Sequence, residues 1–531
     1  MTNLILFTGA VILLCLLLNR IADRIGIPVL LAFILLGMVF GIDGILKIPF
    51  DSYEMAEQVC TVALIFIMFY GGFGTNWKQA KTVAREAVLL STVGVFLTAV
   101  TTGLFCHFVL KFAFWESVLI GSVISSTDAA SVFSILRSKH LNLKDNTASL
   151  LEVESGSNDP CSYMMTILTL GIMSGDFSGG KLIATLVLQI GMGILIGVVV
   201  ALLAEKTMRV VKMTSNGYDT IFVFCIALLA YAVASAIGGN GYLSTYIAGI
   251  ILGNKPLRGK KSLVHFFDGL TGLMQMLIFF LLGLLAYPSR LPEVAGVALL
   301  IALFLTFVAR PFSVFVILTP FKCSVRQKLL VSWCGLRGAA SIVFAIMAMV
   351  NPAYTKNDLF HMVIFIVLFS ISLQGSLLSF LSKKLGMIDD SNNVMKTFSD
   401  YSEEMPVEFV EITIKERHSW ANRMVKDVPS MPDLLMVLIL RGKDKLIPKG
   451  NTVLLPGDVV VLSALSPEGN LGVYLTEIEV DKESKWAGKP LSKIKLGEEK
   501  LVLVLKRGEQ VLIPNGSTVV EENDILVISQ L

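Results

Sequence analysis

Apolar residues fall in thirteen blocks along the first 385 positions, at about 4–18, 27–42, 59–74, 87–110, 115–136, 148–174, 182–204, 218–238, 241–253, 266–287, 294–319, 327–350 and 358–382. Polar and charged residues collect between them. A helix needs about 20 apolar residues to cross a bilayer, so the pattern predicts an all-α polytopic membrane domain of thirteen spans over residues 1–385. The blocks at 27–42 and 241–253 are short for a full crossing. The first block follows Met1-Thr2-Asn3 with no basic region before it and reads as a first transmembrane helix, not a signal peptide.

The loops alternate in charge. One set carries 20 basic residues, among them Arg20, Arg24, Lys78, Arg137, Lys144, Arg209, Lys255, Lys260, Arg326 and Lys383; the intervening set carries only Lys47, Lys111, Lys181, Arg290 and Lys356. Basic loops stay on the cytoplasmic side, which predicts an outside N-terminus and cytoplasmic C-terminal domains in the cell membrane. Thirteen spans with an odd seventh permit two six-helix halves of opposite orientation, spans 1–6 and 8–13. In such inverted repeats the ion site lies at broken helices. The fifth span carries Ser125-Ser126-Thr127-Asp128-Ala129-Ala130-Ser131 at its middle, and the twelfth carries Gly335-Leu336-Arg337-Gly338-Ala339-Ala340-Ser341. Both read as unwound crossings, because small and polar residues can satisfy backbone groups freed within the membrane.

The sixth span opens with Glu152-Val153-Glu154-Ser155-Gly156-Ser157-Asn158-Asp159-Pro160. A charge near the bilayer centre costs at least about 3 kcal/mol, so these carboxylates mark a functional site. On a helix, Glu154 and Asn158 share one face, and Ser155 and Asp159 share the adjacent one. Pro160 leaves the Gly156 carbonyl without its usual donor. A carboxylate, a hydroxyl, an amide and a carbonyl then converge, which suits a hard cation or a proton. Asp159, desolvated, takes one or the other in turn and couples the two fluxes. Arg337 needs a buried partner, and Glu154 is the expected one, with Asn158 bridging the pair. That closed pair leaves Asp159 as sole carrier, hence an electroneutral exchange of one proton for one monovalent cation. Asp128 offsets helix ends at the crossing or binds the ion directly, and Thr127 offers a hydroxyl or carbonyl ligand. Arg310 has no expected partner.

Beyond Leu385 the composition turns polar, and 386–406 reads as a linker. The remainder repeats itself at a shift of 66 residues: Trp420 with Trp486, Arg441 with Arg507, Leu446 with Leu512, Gly450 with Gly516, and Asp458 with Asp524. Two small α+β cytoplasmic domains are expected, at 407–467 and 473–531, each reading as strand, short helix, then strands.

Composition narrows the chemistry. The chain is 54% hydrophobic and 16% charged with net charge +3, which gives no reason to expect nucleic acid binding. Seven cysteines without a CxxC pair indicate neither a zinc site nor a disulfide framework. The glycines of Gly191-x-Gly193-x-x-x-Gly197 lie inside an apolar block and point to close helix packing. Two other classes are open: a tail-gated cation channel, for which no TVGYG-like filter is found, and an aspartyl protease with Asp128 and Asp159 as its dyad, which leaves Arg337 without a purpose.

Ser126-Thr127-Asp128-Ala129-Ala130, Glu154 through Pro160 and Gly335-Leu336-Arg337-Gly338-Ala339, in that order, resemble the monovalent cation/proton antiporters of the NhaP type. The resemblance implies a homodimer with a dimerisation bundle and a core bundle that moves in an elevator-like cycle. It implies Asp159 as carrier, Ser155 and Thr127 near the cation, and Asn158, Glu154 and Arg337 in support. The Asn158-Asp159 pair is similar to the electroneutral branch. One departure is Phe69-Tyr70-Gly71-Gly72-Phe73, where some relatives place a carboxylate. The tail copies resemble TrkA-C domains without the Rossmann half, so no nicotinamide cofactor is implied. That resemblance favours K+ over Na+ and raises cyclic di-adenylate as a regulatory ligand.

Overall fold

The computed structural model describes residues 2–389 except 26–27, 139–140, 176–178, 212–215, 258–259 and 354–356, and most of 407–530. The expected linker lies, from residue 390 to 406, outside the described residues. The chain forms two compact units, Met1–Tyr401 and Ser402–Leu531.

Each of the thirteen apolar blocks is helical: α1 (Thr2–Ile25), α2 (Val29–Phe40), α3 (Tyr53–Gly74), α4 (Ala84–Phe108), α5a (Phe114–Val123) with α5b (Ala129–Ser138), α6 (Thr147–Met173), α7 (Gly179–Val210), α8 (Asn216–Ala236), α9 (Gly241–Gly253), α10 (Lys260–Leu285), α11 (Pro288–Leu318), α12a (Val325–Trp333) with α12b (Ala339–Val350), and α13 (Leu359–Lys384). Seven of the described helices are long and apolar enough to cross a membrane, and five shorter apolar helices accompany them. Side-chain caps fix several starts: Ser52 accepts from Met55 N–H at 3.2 Å, Asn240 from Leu243 N–H at 3.0 Å and Ser324 from Gln327 N–H at 3.1 Å.

The order α1–α6 recurs in α8–α13, and the packing repeats with it. A methyl group on Gly72 of α3 would overlap the Tyr246 carbonyl of α9, and one on Gly249 would overlap the Phe69 carbonyl. In the same way Gly283 of α10 meets the Ile34 carbonyl of α2, and Gly37 meets the Phe280 carbonyl. Gly72 and Gly283 are equivalent in the two halves, as are Gly37 and Gly249. Glycine is required at these four points because backbone touches backbone. A π-helical turn at Leu90–Gly94 in α4 has its counterpart at Leu305–Ala309 in α11. The equivalent Thr98 and Ser313 meet across the repeat, hydroxyl to hydroxyl, at 2.9 Å. Helices α1–α3 and α7–α10 pack mainly with one another, and α4–α6 pack mainly with α11–α13. The glycines in α7 divide: Gly193 and Gly197 lie against the backbone of Asn240 and Ser244, whereas Gly191 faces open space.

In the second unit, β1 (Val407–Thr413), β2 (Leu434–Arg441), β3 (Asp444–Leu446) and β4 (Val459–Leu465) form one antiparallel sheet in the order β1-β4-β2-β3. β5 (Tyr474–Glu479), β6 (Lys500–Arg507), β7 (Gln510–Leu512) and β8 (Asp524–Gln530) form a second in the order β5-β8-β6-β7. Both carry a register shift at the same place, between Met436 and Leu438 and between Val502 and Val504. The expected short helix is a single 3-10 turn in each copy, Val425–Asp427 and Leu491–Lys493. Trp420 is buried in the first core, and Trp486 packs against the second.

Candidate functional site

The two broken spans cross at their breaks. The Asp128 N–H donates to the Leu336 carbonyl at 2.8 Å, and a methyl group on Gly338 would collide with the Asp128 side chain. Gly338 is therefore what lets the crossings approach. Four half-helix ends meet here, with the carbonyl ends of α5a and α12a and the N–H ends of α5b and α12b. Each is an unsatisfied terminus with a partial charge.

Charged side chains answer those ends. Arg337 donates through Nη1 to the carbonyls of Ser125, at 2.9 Å, and Ser126, at 2.5 Å, which continue the chain beyond α5a. Asp128 caps α5b, accepting from Ser131 Oγ at 2.5 Å and from Ser131 N–H at 3.3 Å. The expected pairing of Arg337 with Glu154 is not what forms. Glu154 pairs instead with Arg310, at 2.7 Å, with both side chains buried. The π-helical turn that ends at Ala309 adds a residue immediately before Arg310 and turns it toward Glu154. Sequence reasoning left Arg310 unpaired because a π turn shifts helical phase, and nothing in the residues themselves announces one.

Helix α6 clamps the first break. Ser155 Oγ donates to the Thr127 carbonyl at 2.7 Å, and Asn158 Nδ2 donates to Thr127 Oγ1 at 2.5 Å. Asn158 is wholly buried and does not line the cavity described next, so it acts on Thr127 and not at the cavity surface. Asn240 donates to the Pro160 carbonyl at 2.9 Å, and so pins the proline turn from α9.

Ser126, Thr127, Asp128, Ser155 and Asp159 all line one cavity of about 590 Å³ between the two groups of helices. Asp159 is 7% exposed, and its Oδ1 has no hydrogen-bond partner among the described residues. A buried carboxylate oxygen left this way is costly unless something else satisfies it. The opposite wall includes Leu64, Met68, Tyr70, Gly71, Asp268, Thr271 and Gln275. Asp268 was not singled out from the sequence. It lies near the start of an apolar helix, where a lone acid is ordinarily a surface residue. No described group of three or more His, Cys, Asp or Glu side chains has the geometry of a metal centre.

The sodium/hydrogen exchanger transmembrane model matches residues 9–384, and the TrkA-C domain model matches 409–468 and 475–529. The chain belongs to the sodium/hydrogen exchanger family. It is a multi-pass membrane transporter with two TrkA-C domains. It is 33% identical over 451 residues to the K+/H+ antiporter NhaP2 of Shewanella sp. strain MR-4, covering 84% of this chain and 78% of that one. It is 32% identical to the K+/H+ antiporter NhaP of Alkalimonas amylolytica, over 89% of this chain and 83% of that one. Among solved structures, the sodium proton antiporter MjNhaP1 of Methanocaldococcus jannaschii aligns with a TM-score of 0.63 at 25% identity, covering 72% of this chain and 98% of that one. The sequence resemblance to cation/proton antiporters thus agrees with both the family match and the fold.

Proposed function

We propose that this family member exchanges cytoplasmic K+ for H+ across the cell membrane, one for one, with Asp159 as the shared binding group. The observation that carries this reading is the buried, unpartnered Oδ1 of Asp159 at the wall of a cavity large enough for water and a partly hydrated cation. A proton satisfies that oxygen by making it a donor. An alkali cation satisfies it by coordination, with Ser155 and Thr127 beside it. The two cannot bind together, and alternate occupancy couples the fluxes. The Glu154–Arg310 pair is electrically closed, and Arg337 and Asp128 neutralise helix ends of opposite sign, so the exchanged charge resides on Asp159. Asn158 acts as a positioning residue through Thr127.

K+ is preferred over Na+ because the most similar relatives named here carry K+ in their names, although the M. jannaschii relatives carry sodium in theirs. The cavity is lined by residues near the ends of helices next to Arg20, Lys144 and Lys260, which by the positive-inside rule is the cytoplasmic face. The reading takes the active form as a homodimer. It divides the chain into a transport domain at 1–385, a linker at 386–406, and TrkA-C modules at 407–467 and 473–531 that regulate it, with a small ligand such as cyclic di-adenylate as candidate effector.

The test is a cation series in proteoliposomes, with a pH-sensitive dye inside. Proton movement on addition of K+, without a change in membrane potential, is the expected result. Potential-driven K+ current without proton movement would replace the antiporter reading with a channel.

A further inference from the structure

The cavity wall that faces Asp159 is not symmetric in chemistry. Asp268 of α10 lines it and accepts a hydrogen bond from Tyr70 Oη of α3 at 3.2 Å. Glu152, two turns before Asp159 on α6, lines the same cavity, and among the described residues no lysine or arginine does. Acidic groups in a low-dielectric cleft focus their field and concentrate cations. The ligand-seeking feature of this cavity is independent of those acids: it is the buried Asp159 oxygen that lacks a partner.

Gly72 meets the α9 backbone and Gly283 the α2 backbone in the same way, so the two are equivalent and fix how α3 of the first repeat aligns with α10 of the second. In that register Asp268 falls on Glu57. An inverted repeat places such a pair at opposite mouths. Glu57 lies 13 residues before Tyr70 on α3, about 20 Å along the helix axis. There its α3 neighbours Ala56 and Cys60 are buried in the core cluster against which Tyr163 and Tyr231 pack. Tyr163 follows Asp159 by one turn, and its ring packs edge-on against Tyr242 at 5.0 Å, with Tyr231 at 5.0 Å on the far side. Tyr163 belongs to the core group of helices, α4–α6 with α11–α13, and Tyr231 and Tyr242 to the other. The rings therefore bridge the two groups on the side of Asp159 where Glu57 stands.

We propose that Asp268 and Glu57 are a matched pair of mouth carboxylates, one for each access state, each receiving the incoming alkali cation opposite Asp159. In the conformation described, Asp268 faces the open cavity and Glu57 waits behind the tyrosine rings. Movement of the core group along α3 and α10 parts Tyr163 from Tyr242, closes the Asp268 side and gives Glu57 the same office. This rests on the antiport reading above.

The experiment uses full-length protein in proteoliposomes of known orientation, with K+ offered to one face at a time. Asp268→Asn is expected to raise the half-saturating K+ concentration several-fold at the face bearing Arg20 and Lys260. The opposite face should be affected much less. Glu57→Gln should show the reverse, and Asp268→Glu should restore the wild-type value. A general structural defect would shift both faces alike. Equal shifts at both faces, or none, overturn the proposal. If Asp268→Asn fails to fold, Tyr70→Phe decides between the same two outcomes: a shift confined to the Asp268 face supports the proposal, and an equal shift or none overturns it. Wild-type protein that exchanges no K+ for H+ would strike the underlying antiport reading instead.

Discussion

Arg310 and Glu154 form an ion pair at 2.7 Å in the interior of the helical unit, 3% and 1% exposed, while Arg337 donates through Nη1 to the carbonyls of Ser125 and Ser126. The two arginines are therefore not interchangeable. One closes a charge and the other caps a broken helix.

Removing one member of the buried pair leaves the other charge alone, at a cost of about 3–5 kcal/mol. Glu154→Gln and Arg310→Gln should each lower the melting temperature markedly in detergent. The double variant should lose much less than the sum of the two, because no uncompensated charge remains. Additive losses would deny the coupling.

Asp159 behaves in the opposite sense. Its Oδ1 is buried without a partner, so Asp159→Asn removes a liability and leaves thermal stability unchanged or raised. The same variant is expected to abolish K+-driven proton movement in vesicles. Residual exchange near the wild-type rate would remove Asp159 from its proposed role.

The glycine seams give a packing test. Gly72→Ala and Gly249→Ala place a methyl group into a facing carbonyl and should destabilise by about 1–3 kcal/mol, since backbone cannot rotate aside as a side chain does. Gly191→Ala and Gly296→Ala meet open space and should be tolerated. Thermal denaturation of the four purified variants decides it.

Each tail copy carries a fork of the same geometry. Arg441 holds Asp458 with two bonds of 2.8 Å and also donates to the Val453 carbonyl, as Arg507 holds Asp524 and donates to the Val519 carbonyl. The Arg441 bonds push the Asp458 carboxyl below its usual range. A folded-state value below the unfolded one contributes stability that is present above about pH 3.9 and lost as pH falls through the folded value. Protection of the 434–465 amides against hydrogen exchange, taken relative to the intrinsic rate at each pH, should therefore fall in acid. In Asp458→Asn that protection should already be low at neutral pH and flatter with pH, with 500–530 unchanged.

Removing 407–531 should alter the pH or ligand dependence of exchange while sparing the exchange itself. Dye quenching in vesicles containing the truncated chain checks this. Loss of all activity with intact insertion would show the tail to be part of the transport cycle.

Much of this was legible in the residues. The thirteen blocks all became helical because an apolar run in lipid has few ways to satisfy its backbone except as helix. The breaks at Ser125–Asp128 and Gly335–Gly338 were readable because polar and small residues interrupt otherwise apolar runs. The repeat at a shift of 66 residues also placed Arg441 with Arg507 and Asp458 with Asp524, although not that each arginine grips its own aspartate. Asp159 stood out as an acid where lipid forbids one.

What the sequence by itself determined is thus the set of elements, their repeats and the candidate carrier, all properties of local composition. The partner of Glu154, the placing of Asn158 behind Thr127 and the arrival of Asp268 across from Asp159 were decided only by the tertiary structure. Each depends on how far a helix is rotated when it meets its neighbour. One π turn before Arg310, or one glycine contact such as Gly72 on the Tyr246 carbonyl, sets that rotation from residues distant in the chain.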